Sequence, residues 1–203
     1  MIQLDENSEP IIFFRDNLSK DIYYSKFNQT WEAESLGTNG QAKGQSFDVI
    51  KSLNDEFIAV TVLDDGNFQN LTLISSNLTN HTIEFIGFES DLNINLSLMQ
   101  DYEGTYIVAG FTQQGALYVY EKPLDDAAWN QQSVEQPHGT IFSNALAISG
   151  IDQPVIMVNS EYDSLYIRTE GQWSPLADMP NSLITNEFEL YSGSDEVLFL
   201  AEN

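Results

Sequence analysis

The feature that most constrains the fold of this chain is a short apolar pattern that recurs at nearly constant spacing. Five quartets share the pattern, and their first residues are 46, 49, 49 and 42 positions apart; they occupy residues 11–14, 57–60, 106–109, 155–158 and 197–200. Self-similarity at a period of about 40–50 residues is typical of propellers, solenoids and other repeat architectures. The sequence therefore predicts that one structural unit is copied along the chain.

Each unit is predicted to contain four short strands. In the third unit the strands lie near residues 93–99, 105–111, 116–121 and 129–134, with turns rich in Gly, Asp and Gln between them. Apolar residues alternate along these segments with a period of two, which indicates strands, and no segment sustains the 3.6-residue period of a helix. Four-stranded units of this size arranged around an axis make a β-propeller. An open solenoid and a β-sandwich are the alternative folds.

The predicted fold class is all-β: a β-propeller of four to five blades, each a four-stranded antiparallel meander. We expect a single domain over residues 1–203, with blades near 1–40, 41–90, 91–138 and 139–182 and a partial blade at 183–203. Residues 2–4 can supply a first strand for the first blade, but the last unit lacks two strands. The propeller is therefore incomplete, or it closes at an irregular seam, or a homo-oligomeric partner covers the open blade edge, because unpaired edges promote aggregation.

The charge balance excludes several functions. Seven Lys and Arg residues face 31 Asp and Glu residues, so the formal net charge is −24. Nucleic-acid binding depends on basic residues that neutralise phosphates, and an anionic membrane surface would repel so acidic a chain. The apolar runs are far shorter than the ~20 residues that membrane insertion needs. The acidity favours either solubility in salty surroundings or an acidic face for Ca²⁺ or a cationic partner.

Composition also bears on location. The chain has no cysteine, which excludes disulfides and thiolate metal sites. No signal peptide is visible in the first residues. The cysteine-free, acidic and Asn-rich composition favours a bacterial protein that works outside the cell or in the periplasm.

A hairpin motif adds a family resemblance. The segment Tyr24-Ser25-Lys26-Phe27-Asn28-Gln29-Thr30-Trp31 resembles the Ser-X-Asp-X-Gly-X-X-Trp hairpin of the Asp-box propellers, the sialidase-like family. Weaker versions end at Trp129 and Trp173, and a fourth copy is expected near residues 82–85. The blades are also similar to those of propeller lectins, which carry a Tyr/Trp hairpin of this kind. The resemblance implies a blade architecture over most of the chain, without a particular activity.

The arginine content disfavours sialidase chemistry. The sialidases of this family hold the substrate carboxylate with three arginines, whereas Arg15 and Arg168 are the only arginines here. We therefore expect a non-catalytic member, in which the two arginines bind an anionic group or form ion pairs. Other glycoside hydrolases need two carboxylates at a defined separation, and among 31 acidic residues such a pair can arise by chance.

The best binding candidates are aromatic. Tryptophans fall at equivalent positions of three units, and tyrosines lie on the strands that precede them: Trp31, Trp129 and Trp173, with Tyr24, Tyr118 and Tyr166. Aromatic rings bury large apolar areas and can stack on the C–H faces of sugars, so these residues predict carbohydrate sites between blades. The alternative role is to anchor each hairpin against the neighbouring blade.

The sequence offers few metal ligands and no cofactor motif. Asp64, Asp65 and Asn67 could give oxygens to Ca²⁺, although the same residues are typical of a plain hairpin turn. His81 and His138 fall in different blades and do not make a metal site. No phosphate-binding Gly-rich loop is present. Apart from Ca²⁺, no cofactor is expected.

Together these patterns favour a non-catalytic binding module. It would recognise carbohydrate or a protein partner through loops at one end of the propeller and through aromatic residues between blades. One alternative is a secreted glycoside-hydrolase-like enzyme with a carboxylate pair in the central funnel. The other is a structural segment of a larger propeller protein.

Overall fold

The computed structural model describes residues 1–88, 92–112, 116–134, 141–148, 153–160, 164–178, 188–192 and 198–202. In these residues all regular structure is β, and the chain divides into two compact units, Met1–Ser90 and Asp91–Asn203. Within the same residues, no helix is long and apolar enough to cross a bilayer.

The first unit consists of two four-stranded antiparallel sheets, which we call sheets I and II. In each sheet every strand pairs with the next one in the chain. Sheet I contains β1 (Ile2–Leu4), β2 (Pro10–Asp16), β3 (Asp21–Asn28) and β4 (Thr30–Ser35); sheet II contains β5 (Ala42–Lys51), β6 (Phe57–Asp64), β7 (Gln69–Ser76) and β8 (His81–Phe88).

The second unit repeats this arrangement as sheets III and IV and adds a two-stranded hairpin. Sheet III contains β9 (Leu92–Gln100), β10 (Tyr106–Thr112), β11 (Leu117–Lys122) and β12 (Asn130–Ser133); sheet IV contains β13 (Ile141–Ile148), β14 (Pro154–Ser160), β15 (Ser164–Thr169) and β16 (Gln172–Asp178); the hairpin is β17 (Phe188–Ser192) with β18 (Leu198–Glu202). The predicted four-stranded meanders are confirmed.

Sheets I and II pack face to face over an apolar core. Ile11 and Phe13 of β2 belong to one buried cluster with Phe57 and Ala59 of β6, and the Phe13 ring centroid lies 5.3 Å from that of Phe57. Successive strand residues point to opposite faces, so residues of one parity face the neighbouring sheet. Burial of this apolar area is the main favourable contribution to the stability of the unit.

Sheets III and IV pack in the same way. Ile107 and Ala109 of β10 share a buried cluster with Ile156 and Val158 of β14. Strands whose residues of both parities are buried carry almost continuous apolar runs rather than a clean alternation. The quartets at 106–109 and 155–158 are such runs on β10 and β14.

The turn between the first and second strands is built alike in sheets I, II and III. The side-chain oxygen of its first residue (Asp5, Ser52 or Asp101) accepts hydrogen bonds from the N–H groups two and four residues later. The backbone N–H of the same residue donates to the carbonyl oxygen four residues on. Three different sequences thus form one five-residue turn, because a short polar side chain can replace backbone partners there.

This turn fixes the register of the repeat and corrects the spacing inferred from the quartets. Pro10, Phe57 and Tyr106 each start the strand after the turn, so they are equivalent. The quartet pattern instead aligned Ile11 with Phe57, one residue out of step. A slip of one residue exchanges the two faces of a strand. Because nearly every residue of β6 and β10 is buried, the apolar pattern does not reveal such a slip.

Gly104 stands at the fourth position of this turn in sheet III and provides a test of its geometry. Its φ is +87°, and a Cβ there would lie 3.3 Å from the Leu124 side chain. We expect Gly104→Ala to lower the free energy of unfolding by about 1–2 kcal/mol, from the left-handed backbone and the crowding together. Urea unfolding measures the loss.

The matched control is Gly171→Ala. Gly171 has a φ of +76°, but a Cβ added to it would have no neighbouring atom within 4 Å, so this change reports the backbone cost alone. Equal losses for the two variants would show that Leu124 simply moves aside.

Candidate functional site

In every sheet the hairpin between the third and fourth strands ends in an equivalent cross-strand pair. The strand registers give Phe27–Trp31, Ser76–His81 and Arg168–Trp173, and the β11–β12 register continued by one residue gives Lys122–Trp129. The three tryptophans therefore share one position of the repeat. In sheet II that position holds His81, one residue before the segment where a fourth copy was expected.

The four pairs differ in their chemistry. The Phe27 and Trp31 ring centroids lie 5.5 Å apart, and Lys122 Nζ lies 6.0 Å from the centroid of the Trp129 ring. Ser76 Oγ lies 2.9 Å from His81 Nδ1. In the Arg168–Trp173 pair, both side chains donate hydrogen bonds to a carboxylate of a neighbouring sheet.

That carboxylate is Glu121 of β11, which is 4% exposed. Arg168 Nη2 donates to Glu121 Oε2 at 2.7 Å, and Trp173 Nε1 donates to Glu121 Oε1 at 2.9 Å. Both carboxylate oxygens are thus held by donors from sheet IV, and charge-assisted bonds of this length are strong. We call Glu121, Arg168 and Trp173 the carboxylate cluster.

The surroundings hold the carboxylate cluster in place. Trp173 packs against the apolar core of the second unit. Gln132 Nε2 of β12 donates to the Gly171 carbonyl oxygen at 3.0 Å, which ties the β15–β16 turn to sheet III. The Arg168 side chain is 25% exposed and that of Glu121 is 5% exposed, so solvent reaches the cluster at Arg168.

The cluster combines the groups that a polyhydroxylated ligand requires. Arg168 carries five N–H donors, and its side chain is 25% exposed. Glu121 is buried and orients the guanidinium and the indole, and Trp173 adds an aromatic ring. Donors and an aromatic ring that are held in place by a buried carboxylate make a preorganised recognition site.

The first unit has other residues at these positions. Lys26 is equivalent to Glu121, and its Nζ lies 2.5 Å from Asp5 Oδ2. Ser76 and His81 stand where Arg168 and Trp173 stand in the second unit. The described positions of the first unit that are equivalent to Glu121, Arg168 and Trp173 therefore hold no carboxylate.

The tyrosines named from the sequence are not equivalent to one another. By the turn register Tyr24 aligns with Val119, whereas Tyr118 aligns with Tyr23 and Tyr166 with Tyr120. Tyr24 and Tyr166 are 4% and 3% exposed and belong to the two apolar cores, whereas Tyr118 is half-buried.

Tyr24 has a structural hydrogen-bonding role. Its Oη lies 2.8 Å from Glu34 Oε2 and 2.6 Å from the Leu78 carbonyl oxygen. Burial first, and then the hydrogen bond and charge of Glu34, raise the pKa of Tyr24 to about 12. The folded state therefore favours the protonated phenol.

This raised pKa predicts a late ionisation. The contribution to stability is complete below the ordinary tyrosine pKa of about 10 and is lost as the pH rises through 12. We expect a late-ionising component in an absorbance titration of the folded protein, and Tyr24→Phe to reduce it by one tyrosine. In urea all tyrosines should ionise near pH 10; a late component that is undiminished in Tyr24→Phe would contradict the assignment.

Arg15 serves the first unit. Its Nε donates to the Ala42 carbonyl oxygen at 3.0 Å, and its Nη1 donates to Asn17 Oδ1 at 3.0 Å. The two arginines thus have separate partners: Arg15 joins sheet I to the start of sheet II, and Arg168 joins sheet IV to sheet III.

The Asp64–Asn67 segment forms the β6–β7 turn. Asp64 Oδ1 accepts from the Gly66 N–H, and Asp65 Oδ1 accepts from the N–H groups of Asn67 and Phe68. The Phe68 N–H, and then that of Asn67, hold the pKa of Asp65 below its ordinary value. A bound Ca²⁺ would compete with these bonds.

Among the described residues no group of three or more His, Asp or Glu could hold a metal ion, and His138 lies outside those residues.

Sequence reasoning missed Glu121 and Gln132. A usable signal was present for Glu121, because it follows Leu117 and Val119 at alternate positions of a strand and so shares their buried face. Gln132 carried no such signal, since its role depends on the packing of sheet IV.

Comparisons with known proteins identify the fold. No family model matches the sequence, and no curated protein matches it. Solved structures do: a single-site mutant of Aleuria aurantia lectin with alpha-methyl-L-fucoside has a TM-score of 0.64 at 11% identity, covering 98% of this chain and 68% of the lectin. A protein of unknown function from Dyadobacter fermentans gives 0.62 at 10%, covering 100% and 71%.

A third neighbour is AofleA from Arthrobotrys oligospora, with a TM-score of 0.61 at 6% identity, covering 93% of this chain and 59% of AofleA. The chain spans 54% of a triple mutant of the same protein. These likenesses, together with the four meanders, confirm the predicted fold class: an all-β, multi-blade β-propeller.

Proposed function

We propose that this chain is a non-catalytic carbohydrate-binding module and that the carboxylate cluster is its binding site. The observation that carries the proposal is the junction of Glu121 with Arg168 at 2.7 Å and with Trp173 at 2.9 Å. The structures with a similar fold include Aleuria aurantia lectin with alpha-methyl-L-fucoside and with Fucalpha1-6GlcNAc, which supports a sugar as the ligand of this chain.

The chemistry of the cluster suits a sugar better than a peptide or an isolated anion. Sugar hydroxyl oxygens accept hydrogen bonds, and the N–H groups of Arg168 that are not bonded to Glu121 can donate to them. The guanidinium charge is already compensated by Glu121, so a free anion gains little there. The indole of Trp173 adds an aromatic face beside these polar groups.

The other hairpin pairs are weaker candidates. Trp31 is 50% exposed and its ring lies beside that of Phe27. The Trp129 ring lies beside the Lys122 ammonium group. Each offers an aromatic face, but the Phe27 side chain has no polar group and Lys122 lies over the Trp129 ring, whereas Arg168 and Trp173 both donate to one buried carboxylate. We therefore assign the principal site to Trp173 rather than to its two equivalents.

The test is titration calorimetry with methyl α-L-fucoside, preceded by a glycan array that finds other sugars. Trp173→Phe keeps an aromatic ring but removes the N–H that orients Glu121. A hydrogen bond to a charged group is worth about 1.5–3 kcal/mol, so we expect binding at least about tenfold weaker.

Trp129→Phe is the matched control, because it makes the same change at the equivalent position of sheet III. We expect its affinity to stay within about twofold of the wild type. An array without hits, or a loss of binding in Trp129→Phe but not in Trp173→Phe, would overturn the proposal.

A further inference from the structure

The face of sheet I that points away from sheet II, which we call the outer face, is apolar and exposed. Ile11 and Phe13 point into the core, so alternate residues and their cross-strand partners point outward. The large side chains on this face and their exposed fractions are Ile2 67%, Leu4 53%, Phe14 37%, Phe27 50% and Trp31 50%.

The outer face lacks acidic residues at its centre, although the chain has 31 of them. The glutamates of β4, Glu32 and Glu34, alternate with Trp31 and Ala33 and so point to the other side. The Phe14 ring stacks on Tyr23, with centroids 5.7 Å apart, instead of facing solvent alone. A contiguous uncharged patch on so acidic a chain is an interaction surface rather than a solvated one.

The repeat shows what covers this face elsewhere. In sheet II, Phe57 and Ala59 stand at the positions of Pro10 and Ile12, and they pack against sheet I. In sheet IV, Ile156 and Val158 stand at the positions of Ile12 and Phe14, and they pack against sheet III. This face is thus covered by a sheet of the same repeat in both cases, whereas Ile2, Leu4 and Phe14 on this face of sheet I are exposed.

Phe27 and Trp31 occupy the positions that Arg168 and Trp173 occupy in sheet IV. In sheet IV those positions meet Glu121 of the covering sheet. On the outer face both side chains of the corresponding pair are 50% exposed. This pair is therefore one half of a junction between sheets.

We propose that a second copy of this chain covers the outer face of sheet I with one of its own sheets. Wherever the described residues show this kind of face covered, a sheet of the same repeat covers it, and a second copy brings such sheets with it. A basic partner would be drawn to the acidic surface, not to an uncharged one. The similar solved structures are longer, and this chain covers 59% to 71% of three of them, so the fold accommodates further sheets. The proposal does not depend on carbohydrate binding.

Sedimentation velocity over a wide range of protein concentration tests it. We expect the wild type to associate as the concentration rises, as a dimer or a closed ring. Added salt should strengthen the association, because it screens the repulsion between copies of charge −24. Phe14→Glu and Trp31→Glu should remain monomeric, since each places a charge in the contact.

Two further kinds of variant guard against misfolding and general charge effects. Trp31→Thr keeps a β-favouring residue and should weaken association without adding charge. Leu18→Glu and Phe68→Glu add the same charge at side chains that are 93% and 61% exposed elsewhere in the first unit, and should associate like the wild type.

Three outcomes would overturn the proposal: a wild type that stays monomeric at every concentration and salt level, face variants that still associate, or controls that dissociate as the face variants do. The first would point to a different occupant, such as another protein or another segment of the same chain.

Discussion

Replacing Phe13 by alanine is expected to lower the free energy of unfolding by about 3–5 kcal/mol, the range for removing a fully buried aromatic ring. Phe13 is 0% exposed, and its ring centroid lies 5.3 Å from that of Phe57 and 6.3 Å from that of Tyr24. The alanine loses this packing and leaves a cavity where sheets I and II meet. Urea unfolding followed by circular dichroism measures the loss.

The chain provides a matched control one residue away. Phe14 lies on the same strand but on the outer face, with 37% of its surface exposed. At a concentration where the chain is monomeric, Phe14→Ala should cost less than about 1 kcal/mol, because the ring is only partly removed from water. Similar losses for the two variants would mean that the assigned faces of β2 are wrong.

The second large effect is expected for Glu121→Gln, which should abolish sugar binding and destabilise the second unit. The amide has the shape of the carboxylate, but its NH₂ group cannot accept a hydrogen bond. Either Arg168 or Trp173 then faces a donor, and the guanidinium loses its counter-charge. Removing one partner of a buried, hydrogen-bonded pair costs about 2–4 kcal/mol when the other is partly exposed, as Arg168 is.

A double-mutant cycle separates this explanation from a general loss of packing. In an Arg168→Met background the counter-charge is no longer needed, so Glu121→Gln should cost clearly less than in the wild type. Additive costs would contradict the pairing. A stable Glu121→Gln protein that binds methyl α-L-fucoside like the wild type would contradict both the pairing and the assigned site.

Much of the fold could be predicted from the sequence because its strongest signal is repetition. Apolar quartets at regular spacing give the number of units, and period-two alternation gives four strands in each. The register between units could not be obtained in this way. Ile11 and Phe57 both start an apolar quartet, yet they differ by one position in the repeat, and only the hydrogen bonds of the turn reveal it.

The site was harder to predict, for two physical reasons. Glu121 is one of 31 acidic residues, and what distinguishes it is burial against donors that lie 47 and 52 positions further along the chain. The repeat position of the tryptophans was visible only where tryptophan occurs. His81 fills the same position in sheet II, and the strand pairing alone identifies it.

The five-residue turn between the first and second strands of sheets I, II and III has a consequence for how the chain folds. Its hydrogen bonds join residues no more than four positions apart. In addition, the strands of each sheet pair in chain order. Local pairing of this kind has a small loop-closure cost, so hairpins can form early and independently. We infer that the slow step is the stacking of finished sheets, sheet II on sheet I and sheet IV on sheet III, and that synthesis from the N-terminus completes one sheet of each pair before the other.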